Sequence, residues 1–338
     1  MKRPLTTLFL LGGIFLPGGS VAQGPPRPAG LAPAEPNRQP RFVTAAQASF
    51  LKDSDRMLGV HANNVAKAYL ASGVAFHHII EDTLGSMPIL VTWCQLCNTA
   101  LVFRADLEGR RLTFDLNGTR GSNFVMRDRQ TGTDWQQATG EAFAGPLQGR
   151  RLSLLAFEIT TWGEWKSRYP QTLAFAMEPR YREQYRLMEQ RQKELTAFGA
   201  PAFSPLRTDS RLWPTTQVLG VEIGGAYKAY PITLLSKQSV WNDRIGSAPV
   251  LLLHMSDTET NRAFSRVISG QTLTFQSINR PAVSMTDLET GSYWNRYGEC
   301  LEGALKGKSL APISLLPSFW FAWAEFHPDT ELFSDRPQ

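Results

Sequence analysis

Cysteine is scarce in this chain, with three residues among 338. So few exclude a disulfide framework and leave the fold to an apolar core. No block of Lys or Arg stands out, and the formal charge is only +5. Nothing therefore marks the chain as a nucleic-acid binder. Beyond the first twenty residues no apolar run is long enough to span a bilayer, so no transmembrane segment is expected in the mature chain. G-x-S-x-G, H-E-x-x-H and the P-loop are all missing, which removes the commonest signatures of hydrolases and nucleotide enzymes.

What is present begins with export. Lys2 and Arg3 precede an apolar run from about Leu5 to Leu16, then Ser20-Val21-Ala22. A positive flank, a short apolar core and small residues at the cleavage site predict a signal peptide over residues 1–22. The expected location is periplasmic or in the cell envelope. Residues 23–40 are rich in Pro, Gly and Ala and are expected to form a disordered tether. The remainder, with 42% hydrophobic and 19% charged residues overall, can bury a real core and is long enough for two units.

The chain contains itself twice. Leu58-Gly59-Val60 returns as Leu219-Gly220-Val221, and Lys67-Ala68-Tyr69 as Lys228-Ala229-Tyr230. Asp82, Gly85 and Pro88 return as Asp243, Gly246 and Pro249, and Leu112-Thr113-Phe114 as Leu273-Thr274-Phe275. All are 161 positions apart, as 219 − 58 shows. After a two-residue contraction Met126, Asp128 and Trp135 answer to Met285, Asp287 and Trp294. Trp162 and Trp165 answer to Trp320 and Trp323. The expected organisation is a first repeat over 41–176, a linker over 177–211 and a second, degenerate repeat over 212–338. Tyr181, Tyr185, Met188 and Leu195 fall near helical spacing and predict one amphipathic linker helix, ended by Gly199 and Pro201.

Each repeat reads as mainly β, a β-rich α+β fold with short helices. Residues 218–231 form a hairpin turning at Gly224-Gly225, and Pro249–His254 is a buried strand. A short helix fits each Trp-x-x-Trp segment, and another fits Thr44–Phe50, capped by Thr44. The recurring tryptophans are expected in the core, and Asp128 and Asp287 beside Thr and Gly as turn supports.

Chemistry belonging to one repeat sits where the copies differ. Cys94 and Cys97, spaced C-x-x-C after an apolar strand, correspond to Met255 and Thr258. His77 and His78 correspond to Gln238 and Ser239, and a longer loop is expected around Asn117–Asn123. The β-like run after Cys97 argues against a thioredoxin fold, whose helix starts at the first cysteine. Phe76–Ile80 reads as a strand, so His77 and His78 should face opposite sides. His61 is expected in a surface turn, and Cys300 as a buried structural thiol. Three readings of the first repeat stay open. Cys94, Cys97 and His77 could hold copper or zinc. The two cysteines could form a redox dithiol, or a purely structural disulfide in an envelope interaction protein. Whether the chain is an enzyme, and what partner or small molecule it meets, is undecided by sequence.

Phe76-His77-His78-Ile79-Ile80-Glu81-Asp82, Cys94-Gln95-Leu96-Cys97-Asn98-Thr99, Asp128-Arg129-Gln130-Thr131-Gly132-Thr133-Asp134-Trp135 and Gly140–Leu147 together resemble the bacterial family catalogued as domain of unknown function 3179. The resemblance covers nearly the whole mature chain. It implies an exported or envelope protein with one His, at position 77, and two Cys in a family pattern. It implies no activity. The Pro and Gly that the family carries around the cysteines are replaced here by Gln95 and Asn98.

Overall fold

The computed structural model describes residues 34–198 and 206–334. The expected signal peptide and most of the tether lie outside the described residues, as do Gly199 and Pro201. The fold is mainly β. Among the described residues there are five α-helices, and only Arg182–Phe198 exceeds seven residues.

Alternating apolar residues and tight turns build paired sheets. In the first, the strands run in the order Phe42–Thr44, Leu173–Phe175, Val65–Leu70, Arg56–Ala62, Glu158–Thr161. A second sheet orders Leu316–Phe319, Gln217–Ile223, Ala226–Pro231, Glu331–Leu332. Registers recur at the spacing seen in the sequence: Leu58 faces Tyr69, and Leu219 faces Tyr230. Both hairpins close on two residues with positive φ, Asn63-Asn64 and Gly224-Gly225. That is the turn geometry matching strand twist, and Asn and Gly tolerate it best. The Trp-x-x-Trp helices, Trp162–Arg168 and Trp320–Phe326, lay Trp165 over Gly59 and Trp323 over Gly220. All four of their tryptophans are buried.

A further pair of sheets carries the cysteine segment and its counterpart. Ile79–Leu84, Met87–Cys94 and Thr99–Arg104 form one; Val240–Ile245, Ala248–Met255 and Thr260–Ser265 begin the other. Asp128 accepts from Thr131 and the Trp135 indole, and Asp287 from Thr290 and Trp294, so both are turn supports. Cys300 is a buried free thiol.

Contact between residues before and after the linker is reciprocal. The Phe319 N–H donates to Cys97 O at 2.9 Å, while Arg56 donates to Thr258 O, at the matching turn, at 3.1 Å. One apolar cluster runs through the first half and continues into Leu316, Trp320 and Trp323. Arg262 reaches across to Glu158 and Glu164. No helix among the described residues is long and apolar enough to cross a membrane.

Four expectations need correction. The tether does not extend to Pro40, because Asn37 pairs with Ile80 as a β-bridge and Glu35 O meets His77. Backbone hydrogen bonds on both sides of Ile80 order that stretch despite its composition. His77 and His78 do not alternate on a strand. Ala71–His77 is a helix, His78 turns the chain with φ 61°, and the strand starts at Ile79. Gly73–His77 are all buried, so no polar stripe betrayed the helix. The segment around Asn117–Asn123 is strand to Arg120, with a turn at Gly121-Ser122. His61 also lies on a strand, Arg56–Ala62, with its ring stacked on Tyr169.

Candidate functional site

Cys94 ends its strand and Thr99 pairs opposite it, so Gln95-Leu96-Cys97-Asn98 is a four-residue hairpin loop. Asn98 takes φ 54°, a left-handed value that Asn tolerates better than most residues, which replaces the family's Gly at this turn. Both thiols are free; Cys97 is 0% and Cys94 5% exposed.

The sulfurs sit in a polar cluster buried inside the first half. Asn123, the first residue of the strand Asn123–Asp128, donates from Nδ2 to Cys97 Sγ at 3.1 Å and to Gln137 Oε1 at 2.7 Å. Its Oδ1 accepts from the Ala138 backbone N–H at 3.0 Å and from Gln136 Nε2 at 2.9 Å. A backbone N–H can only donate, so the amide orientation is determined: its NH2 must face the sulfur. Gln137 passes its own donors to Thr92 Oγ1 and Thr99 O, and Thr92 donates on to Leu101 O. Every member is satisfied, which is the condition under which a buried polar network rigidifies a site.

This geometry polarises the thiol pair. Burial opposes ionisation of Cys97, but hydrogen bonds from Cys94, Thr99 and Asn123 outweigh it and bring Cys97 below the ordinary thiol range. Cys94 is pushed well above that range, first by burial and then by donating its proton to Cys97. The donor aimed at Cys97 therefore favours negative charge on that sulfur over Cys94.

His77 is elsewhere. Its Nδ1 donates to Glu35 O at 2.8 Å, since a carbonyl can only accept, and Nε2 then accepts from Tyr185 OH at 2.8 Å. Burial keeps the imidazole below its usual pKa and so neutral, and burial also raises the Tyr185 phenol. Both ring nitrogens are used. The structure brings Cys94 and Cys97 together but does not bring His77 to them. Among the described residues no group of three His, Cys, Asp or Glu side chains is placed to share a metal ion. Cys94, Cys97 and His77, the three ligands expected from sequence, are therefore not gathered into one such group.

Asn123, Gln137 and Thr92 were missed by sequence reading, although a signal existed. At the repeat spacings they correspond to Ala282, Arg296 and Leu253. The comparison of copies that singles out Cys94 and Cys97 also singles out the residues that bond around them.

The site is closed from three sides. The linker helix accepts Gln95 Nε2 at Met188 O at 2.6 Å, and Gln192 donates to Asn98 Oδ1 at 3.2 Å. Ser318 and Phe319 cover the Cys97 carbonyl and Thr99. The hairpin ending in Asn123 is pinned at Ser122, whose N–H donates to Glu325 at 3.1 Å. A cleft of about 1240 Å³ borders the turn; Trp93, Gln95 and Asn98 line it, and neither cysteine does.

A family model described as protein of unknown function (DUF3179) matches residues 36–330. No curated protein and no solved structure matches the chain.

Proposed function

The chain belongs to the DUF3179 family of unknown function, and from that premise we propose that its first half carries a redox dithiol, Cys94 and Cys97, which cycles to a disulfide. The reading takes the protein as exported, on the pattern of residues 1–22. The observation that carries it is the Asn123 amide, held by Ala138 so that it can only donate to Cys97 Sγ. A structural disulfide has no use for a donor aimed at one sulfur. A thiolate does, because a hydrogen bond to a charged group contributes about 1.5–3 kcal/mol.

Far-ultraviolet thiolate absorbance of the reduced protein, titrated with pH, tests this. Cys97 should ionise below the free-cysteine value of about 8.5. In Asn123→Ala the midpoint should rise by about one pH unit, the equivalent of 1.36 kcal/mol. An unmoved midpoint, or a pair that resists reductant in the folded protein, would sink the proposal. Copper(I) uptake offers a second check. Stoichiometric binding that survives His77→Gln and is lost in Cys97→Ser would favour a two-sulfur cation site instead.

A further inference from the structure

We propose that the oxidant of this dithiol is a small hydroperoxide, with Cys97 as the attacking sulfur and Cys94 as proton donor and resolving thiol. The proposal rests on the dithiol reading above and names its substrate class. Access is the first argument. Cys97 has no exposed surface, and its turn is covered by Met188 and Gln192 of the linker helix and by Ser318 and Phe319. Exchange with a protein disulfide would place a third sulfur, with its backbone, in line with Cys97. That needs both covers removed. Hydrogen peroxide has two heavy atoms and needs only to pass Gln95 or Asn98 from the cleft that they line.

The donors are the second argument. Attack on peroxide creates a departing oxygen that must be protonated and a sulfur-bound oxygen that must be hydrogen-bonded. Cys94 carries the proton beside Cys97, and the Asn123 amide and the Phe124 N–H point at the two sulfurs. The Cys97 thiolate attacks one peroxide oxygen and the O–O bond breaks. The Cys94 proton goes to the departing oxygen, giving water, and Cys97 becomes a sulfenic acid. The Cys94 thiolate then attacks the Cys97 sulfur, the S–O bond breaks, and hydroxide leaves. That hydroxide takes up the proton Cys97 released on ionising. Two thiols and one hydrogen peroxide give one disulfide and two waters.

Cys94 and Cys97 differ in role, so the test separates them. The reduced full chain is mixed with hydrogen peroxide, with glutathione disulfide and with diamide, and disulfide formation is followed by mass. Peroxide should oxidise the pair about 100-fold faster than glutathione disulfide at equal concentration. In Cys94→Ser, dimedone should trap a sulfenic acid on Cys97; Cys97→Ser should yield none. Glutathione disulfide reacting as fast as peroxide would overturn the substrate class and leave the dithiol standing. A pair that no oxidant converts would overturn the dithiol itself. The rate comparison uses only the native sequence, so a variant that fails to fold does not shelter the proposal.

Discussion

Arg262→Met is expected to remove about 3–5 kcal/mol of folding stability, the usual cost of deleting one member of a buried ion network. Arg262 is 4% exposed. It donates to Glu164 Oε1 at 2.9 Å and to Glu158 Oε2 at 3.1 and 3.2 Å. Arg168 shares Glu158, Thr160 shares Glu164, and the guanidinium lies over the Tyr297 ring. The penalty comes from the glutamates left behind. Glu164 is also buried, and without Arg262 its carboxylate keeps only the more distant Arg296, at 3.6 Å. Urea unfolding of Arg262→Met should therefore show the loss. The triple variant with Glu158→Gln and Glu164→Gln should recover part of it, since the under-neutralised carboxylates go too, although Arg168 then loses its partner Glu158. A single-variant loss under about 1 kcal/mol would mean solvent already screens the network, as it does for surface pairs.

The same network sets an acid dependence. Burial works to raise the Glu164 pKa, but Arg262 and the Thr160 and Thr260 hydroxyls lower it overall. Its folded value therefore lies below the unfolded one of about 4.3. A depressed carboxylate stabilises the fold fully above the unfolded value. That contribution is lost as pH falls through the lower folded value. Acid unfolding should be shallower in the triple variant than in the native chain.

Gly220→Ala is the second large effect, expected at about 3 kcal/mol, the upper part of the overpacking range. A Cβ on Gly220 would fall inside contact distance of the Trp323 ring, and one on Gly59 would meet Trp165 in the same way. Trp323 cannot yield freely, because its Nε1 donates to Thr330 at 2.9 Å; Trp165 is held likewise by Thr172 at 2.8 Å. Thermal unfolding of Gly220→Ala should fall by several degrees. Gly220→Ala combined with Trp323→Leu should lose less than the sum of the two single changes, because the second removes the ring the first collides with. Strict additivity would show that the indole moves aside at no cost.

These predictions separate what was legible from what was not. The Leu-Gly-Val segments and the Trp-x-x-Trp segments recur as text, and the fold supplies the reason: the second tryptophan of each segment, Trp165 or Trp323, lies on the glycine of its own sheet. The hairpin turn at Gly224-Gly225, the turn carboxylates Asp128 and Asp287, and the linker helix with Tyr185, Met188 and Leu195 buried were legible too, while Tyr181, expected on that helix, lies in the short turn Pro179–Tyr181 before it. Such features depend on period and on neighbours a few residues away. The His77 reading failed because five residues of apparent alternation cannot outvote a helix whose every side is buried.

By itself the sequence determined that the protein is mainly β, and it singled out Cys94 and Cys97 as positions where segments that recur 161 residues apart differ. Tertiary structure alone decided their surroundings. Asn123 lies 26 residues from Cys97, and Tyr185 lies 108 from His77. A hydrogen bond needs its atoms within about 3 Å, and local periodicity says nothing about which distant side chains will meet at that range. The imidazole was available to the thiols in composition; the packing of the linker helix gave it to Tyr185 and gave the sulfur to an amide.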